Sequence, residues 1–582
     1  MTAPSRTAPP SPVRHRDPAA PESSEPQREG RPPGRTRLAV SGLHVAFDTT
    51  RGRRAVVRDI AFELAAGECV AIVGESGSGK SVTARALVGL AGRGSVVRAD
   101  RLEVHGQDLR DATERRWRPV RGAEVGFVLQ DALVSLDPLR PVGREIAEAL
   151  ALHGVRGRAE RHRRAVELLG RVGVPLPRQR ARQRPHELSG GLRQRALIAS
   201  ALALEPDIIV ADEPTTALDV TVQAQVLDLL HRTKERGASL LLISHDLSVV
   251  AELADRILVM KDGRIVEEGT TDAVLGAPQE AYTRALVAAV PGRGTRGRAL
   301  VPGSPPLPAR RAVAPDAAVI EAVGLTRRFS APAGRTTLAV DNVSFTLGRG
   351  ETLGLVGESG SGKSTTARLV LALEQADAGE VRLGGEPWST LSERRRRPLR
   401  RRLAVVSQDP LSSFDPRWTT ERILLDAVPS QDYPTRAAHR ARVAELVSLV
   451  GLDEAVLPQF PLRMSGGQRQ RVAIARALAG APDVVVLDEA VSALDVTIQA
   501  QVLDLLARLQ LETGVSYLFI SHDLGVVTHV ADRVLVMKDG RVVESGTPDT
   551  LLDNAEHPYT RELLASVPAL ELSPNQPGRD HR

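Results

Sequence analysis

GESGSGKS runs from Gly74 to Ser81, and the same eight residues run again from Gly357 to Ser364. Each copy follows an apolar run (Cys69 to Val73; Thr352 to Val356) and precedes an Ala/Leu-rich, helix-forming stretch. The pattern is strand, glycine loop, helix, and both copies match G-x-x-x-x-G-K-[ST]. In such a loop consecutive backbone N–H groups point inward and the next helix presents its positive end, which together hold phosphate. Glycine is needed where a Cβ would collide with the phosphate. Candidate ligands are Gly74, Glu75, Ser76, Gly77, Ser78, Gly79, Lys80, Ser81 and Val82 in the first copy. In the second they are Gly357, Glu358, Ser359, Gly360, Ser361, Gly362, Lys363, Ser364 and Thr365. Lys80 and Lys363 can reach the β/γ-phosphates, and Ser81 and Ser364 can ligand Mg²⁺. A ligand-free Gly-rich turn competes for one match; two matches in repeated context leave it little room.

Outward from the loops, everything else repeats too. Leu38 to Phe47 and Val57 to Leu64 alternate like antiparallel strands. Val125 to Leu129 is a strand ending in Gln130, and Gly143 to Gly173 reads as helices. LSGGLRQR (Leu188 to Arg195) opens a helix and is matched by MSGGQRQR (Met464 to Arg471). Asp207 to Ala211 is a buried strand ending in Asp212 and Glu213; its counterpart ends in Asp488 and Glu489. LLISHDL is matched by LFISHDL, and ILVMKDGRIVEEGT by VLVMKDGRVVESGT. A period this long is domain duplication rather than a solenoid. The expected organisation is a disordered tail (1–36), a first domain (37–291), a Pro/Gly/Arg-rich linker (292–316), a second domain (317–570) and a second tail (571–582).

The 582 residues exceed one compact core, in line with two domains. With 42% apolar and 25% charged residues the composition is that of a globular protein, and aromatics are only 3%, so Val, Leu, Ile and Ala must build the cores. Net charge is +6, from 77 basic and 71 acidic residues, too small an excess to call for a nucleic-acid partner. The one cysteine, Cys69, excludes an internal disulfide or a cysteine-held metal cluster. No apolar run reaches the roughly 18 residues a membrane span needs. Residues 1–35 lack the apolar segment of a secretory signal.

Four further motifs carry chemistry. Asp212 and Asp488 can hold Mg²⁺ through water, and Glu213 and Glu489 can orient or deprotonate an attacking water; an ordinary acidic strand end is the commoner case for one such pair alone, and the position downstream of a glycine loop reverses it. His245 and His522 follow strands of the same sheet and can bond a γ-phosphate or hold the water and glutamate in line; a helix cap in S-H-D is the alternative. Gln130 and Gln408 can touch Mg²⁺ and the water, or be plain polar strand ends. Ser189, Gly190, Gly191 and Ser465, Gly466, Gly467 each form a second anion site at a helix N-terminus. That second site makes sense if it faces the other domain's nucleotide.

Taken in order, these motifs resemble those of the ATP-binding-cassette (ABC) ATPases, twice over, across about residues 38–290 and 318–568. The resemblance implies an α/β fold of two tandem P-loop NTPase domains, each with a mainly parallel core sheet, an antiparallel β subdomain and an α-helical subdomain. It implies ATP and Mg²⁺, and head-to-tail pairing in which Ser465 and Gly467 complete the site of Lys80, and Ser189 and Gly191 that of Lys363. Asp219 and Asp495 would lie at the shared interface. Adenine would stack on an early aromatic, Phe47 and Phe329 being the candidates, with a core role as the alternative. QDALVSLDP (130–138), QDPLSSFDP (408–416), EAYTRALVAAVP (280–291) and EHPYTRELLASVP (556–568) resemble the peptide/nickel importer branch. That implies two integral-membrane permease subunits, an extracytoplasmic substrate-binding protein and a place on the cytoplasmic face of the membrane. A nickel or other small-solute importer is an alternative. A soluble tandem-cassette factor acting on ribosomes or DNA is another, disfavoured by the short non-helical linker. A regulator without hydrolysis is disfavoured by the intact Glu213, Glu489, His245 and His522. Leu192, Met464 and Ala490-Val491 depart from the family pattern and leave room for asymmetry between the sites.

Overall fold

Each glycine loop leaves a strand that is buried on both faces. In the first repeat Cys69, Ala71 and Val73 point into one core while Val70 and Ile72 point into another. The neighbouring strands alternate the same way: Ile209 and Ala211 against Ile208 and Val210, Leu240 and Leu242 against Leu241 and Ile243. Such near-continuous apolar runs are what a parallel sheet covered on both sides requires. The structure is a computed structural model describing residues 36–49, 52–130, 135–216, 218–305, 307, 318–330, 336–492 and 494–566. The expected tails, apart from residue 36, lie outside the described residues, as does the linker from 308 to 316.

The first core sheet has six strands in the order Arg264–Thr270, Arg256–Lys261, Cys69–Val73, Ser239–Ile243, Ile208–Asp212, Val125–Val128. All neighbours are parallel except the first pair. The second runs Leu403–Val406, Val484–Asp488, Ser516–Ile520, Thr352–Val356, Arg533–Lys538, Arg541–Gly546, the same topology. One face of each core sheet packs on a smaller antiparallel sheet, led by Thr36–Thr49 with Gly52–Ala65 and by Ala318–Ser330 with Thr336–Gly348. The other packs on helices, including Val142–Leu152 and Arg158–Arg171 in the first repeat. Crossovers return every parallel strand in the same direction, so both glycine loops and every acidic, Gln and His motif sit at the carboxyl ends of strands, on one edge.

The described start of the Pro/Gly/Arg-rich linker lies on the second repeat, through residues 291–301. Leu300 is 2% exposed and belongs to the second repeat's core, with Val220 and Ala289 from the first. The backbone N–H groups of Leu300 and Val301 donate to the two oxygens of Asp504, at 2.9 and 3.0 Å. Arg293 pairs with Asp553 through two hydrogen bonds of 2.6 Å. That pair is exposed and contributes little; Asp504 is 2% exposed and its loss would strand the buried Leu300 donor and the partly buried Val301 donor. Asp504→Ala is therefore expected to cost about 2–4 kcal/mol and to open the segment after Pro291 to protease. The matching Asp228 is a surface residue paired with Arg232, so Asp228→Ala should leave the melting temperature and the digestion pattern unchanged.

Candidate functional site

The first glycine of each loop is required by the fold before any ligand arrives. Gly74 has φ +147°, and a Cβ there would fall 2.1 Å from the Met260 carbonyl oxygen on the adjacent strand; Gly357 repeats this at 2.2 Å from that of Met537. Gly79 and Gly362, with φ +105° and +103°, turn the chain into the helices Lys80–Leu87 and Lys363–Val370. Lys80 arches back over its loop, and its Nζ donates to the carbonyls of Gly74 (2.6 Å) and Glu75 (2.8 Å). Lys363 does the same to Gly357 and Glu358. Burial pulls both ammonium groups below the usual lysine range, and nearby carboxylates oppose it.

Beside the loop, Ser81 Oγ donates to Asp212 Oδ1 at 2.8 Å, and Ser364 Oγ to Asp488 Oδ1 at 3.1 Å. Asp212 is fully buried, and its Oδ2 has no hydrogen-bond partner, only the Arg85 guanidinium 4.0 Å away. Burial pushes both carboxyl groups above their ordinary range. A hydroxyl and a carboxylate with a spare oxygen fit a hard divalent cation that keeps most of its water and takes phosphate oxygens.

One residue on, the glutamates gather the remaining motifs. Glu213 Oε2 accepts from Gln130 Nε2 (2.7 Å) and Thr216 Oγ1 (3.0 Å), and its Oε1 lies 3.3 Å from His245 Nδ1. Glu489 Oε2 accepts from Gln408 Nε2 (2.7 Å), and its Oε1 lies 3.5 Å from His522 Nδ1. Burial is the largest single influence on the Glu213 carboxyl and would raise it, but His245, by hydrogen bond and charge, together with the Thr216 hydroxyl and the Lys80 ammonium, holds the group below the usual range. For Glu489 the His522 hydrogen bond is the largest influence, in the same direction. Burial lowers His245 and His522, and their glutamates more than reverse this. Both glutamates have left-handed backbone, φ +49° and +51°, an uncommon conformation for a side-chain-bearing residue and one found at functional sites. Asp246 and Asp523 do the helix capping, so the adjacent histidines are free to face the glutamates.

Ser189 and Ser465 cap the helices Gly190–Ala201 and Gly466–Leu478. Gly191 and Gly467 pack where a Cβ would fall 2.8 Å from Val222 and 2.6 Å from Ile498, so any larger residue would displace those side chains. The second cap is doubled: Gln468 Oε1 also accepts the Ser465 N–H at 3.0 Å. Leu192 cannot return that bond, which leaves the first turn singly held.

The repeats meet at this edge. Asp495 caps its own helix with Oδ1, and its Oδ2 accepts from Ser76 N of the first glycine loop at 3.4 Å. Thr221 Oγ1 donates to Glu358 Oε1 of the second loop at 2.5 Å. Two tyrosines were missed by sequence reading: Tyr282 Oη accepts from Glu75 N, and Tyr559 Oη from Glu358 N, both at 3.0 Å. Phe47 packs on the core of its antiparallel sheet, and the Phe329 ring carries the Arg327 guanidinium at 4.9 Å. No described contact joins either ring to a glycine loop.

A family model described as "ABC transporter" matches residues 57–216 and 340–492. The chain belongs to the ABC transporter family. This ABC protein binds and hydrolyses ATP, as the family does. A second model, "Oligopeptide/dipeptide transporter, C-terminal region", matches residues 266–313 and 543–579, after each ABC cassette. The chain is 44% identical, over 93% of its length and 91% of the relative's, to "Glutathione import ATP-binding protein GsiA" of Shigella dysenteriae serotype 1. It is 43% identical over the same shares to the protein of that name from Escherichia coli (strain K12). No helix among the described residues is long and apolar enough to cross a membrane.

Proposed function

We propose that this chain is the ATP-hydrolysing subunit of an importer for small peptides of the oligopeptide or glutathione class. It would act from the cytoplasmic face on two separate integral-membrane permease subunits, with an extracytoplasmic binding protein delivering the cargo. The observation that carries this is the oligopeptide-type C-terminal region after both cassettes; the relatives named for glutathione import support it. In this reading Lys80 and Lys363 leave their loop carbonyls to bind β/γ-phosphate oxygens. Ser81 with Asp212, and Ser364 with Asp488, hold Mg²⁺, which supplies charge neutralisation on the phosphates. Glu213 and Glu489 orient and deprotonate the attacking water, with His245, His522, Gln130 and Gln408 fixing the carboxylates in place. The SGG turn of each cassette caps the nucleotide of the other, which the contacts of Asp495 and Thr221 across the interface support.

Reconstitution in vesicles with the permease pair and binding protein tests the assignment. Glutathione or a short peptide loaded on the binding protein should stimulate ATP hydrolysis several-fold. Stimulation by a nickel chelate alone, or by no solute, would overturn the peptide reading.

A further inference from the structure

We propose that Tyr282 and Tyr559 are positioning residues for the two glycine loops, through which the segment after each cassette sets the affinity for ATP. The helices Ala281–Ala288 and Pro558–Ala565 bear these tyrosines. Each helix start is pinned to the final strand of its own core sheet. Glu267 accepts the N–H groups of Gln279 and Glu280, and Glu544 those of Glu556 and His557. Each ring is held against a lysine that ends the neighbouring strand, Lys261 at 4.8 Å and Lys538 at 4.3 Å from the ring centres. Burial pushes both phenols up to about 12, so each Oη stays protonated and neutral at physiological pH. Thus fixed, each Oη accepts the N–H of the second residue of its glycine loop.

The consequence is specific to the loop. Glycine loops are built from residues with little conformational preference, so ordering them around phosphate has an entropic cost. A fixed acceptor at the loop's first turn removes part of that cost before ATP arrives. In the second loop the same residue, Glu358, has its N–H on Tyr559 and its carboxylate on Thr221 of the other cassette. One loop residue therefore joins the segment after its own cassette to the opposite cassette. The repetition of the contact in both halves, across 207 and 201 residues of chain, argues against a chance packing.

This rests on the assignment of the glycine loops as the ATP sites, and the experiment separates the two. Tyr282→Phe combined with Tyr559→Phe removes only the acceptor oxygens and keeps the rings against their lysines. The full chain carrying both changes should bind ATP about three- to tenfold more weakly, the effect of losing one hydrogen bond per loop. KM for ATP should rise by the same factor, with kcat within about twofold of the parent and an unchanged melting temperature. An unchanged Kd and KM, or a fall in kcat together with the melting temperature, would overturn the positioning role. ATP binding by a Lys80→Ala, Lys363→Ala double variant as tight as the parent's would instead overturn the site assignment.

Discussion

Glu213→Gln combined with Glu489→Gln is expected to lower steady-state ATP hydrolysis by about 10²–10⁴-fold, the range for removing a general base. The substitution is nearly isosteric: the amide oxygen can still accept from Gln130 and Thr216 while the NH₂ takes the place that faces His245, and the left-handed backbone at φ +49° carries no new strain. What disappears is the basic carboxylate. Against the opposing effect of burial, His245, Thr216 and Lys80 together hold Glu213 below the ordinary glutamate range, so the parent group is ionised in the physiological pH range and available as a base. Its depressed value also means that acid, not alkali, should remove the activity. ATP binding should persist, because the loops, Lys80 and Lys363 are untouched. Hydrolysis by the double variant at the parent rate would eliminate these carboxylates as bases.

The single variants should differ. Glu213 has three side-chain neighbours on its carboxylate, whereas Ser492, the counterpart of Thr216, donates to the Glu489 backbone oxygen instead. The SGG turns are unequal as well, since Gln468 doubles one cap and Leu192 cannot double the other. In the head-to-tail reading the singly held turn faces Lys363, which places both weaker elements, Glu489 and the Leu192 turn, in the same composite site.

Much of this was legible in the sequence because it is written locally. A strand alternating between two cores has to be apolar throughout, and the residue that ends it faces the common edge, so Asp212, Glu213, His245 and Gln130 could be placed from strand pattern and repeat order. At Gly74 one reason for glycine was hidden, because the Met260 carbonyl that excludes a Cβ comes from a strand far along the chain. The packing of the linker's first residues was hidden for the same kind of reason. Leu300 lies in a segment without periodicity, and its acceptor, Asp504, sits in a run, QAQVLDLL, that is identical in both halves. Nothing local distinguishes the buried Asp504 from the exposed Asp228. The tyrosines left one signal, their recurrence at the same place after both cassettes, but recurrence does not say that an oxygen points at the glycine loop.

Lys80→Ala should reduce total ATP hydrolysis to below about a tenth of the parent's, not to a half. Losing a lysine that stabilises transferring phosphate costs roughly 10²–10³-fold at its own site; the question is what happens at the other, where Lys363 is intact. If the sites were independent, that site would continue and half the activity would remain. The contacts across the interface argue otherwise. Asp495 caps the helix of the second cassette that follows Glu489 and accepts from Ser76 in the first loop, so the first loop is in direct contact with the second cassette. Thr221 in turn fixes Glu358 of the second loop, and Val220 beside it lies in the second cassette's core. An empty first site therefore withdraws an interface on which the second depends. Residual hydrolysis near one half, with ATP affinity at the second site unchanged, would show two independent ATPases on one chain and would break the proposed coupling between the duplicated loops.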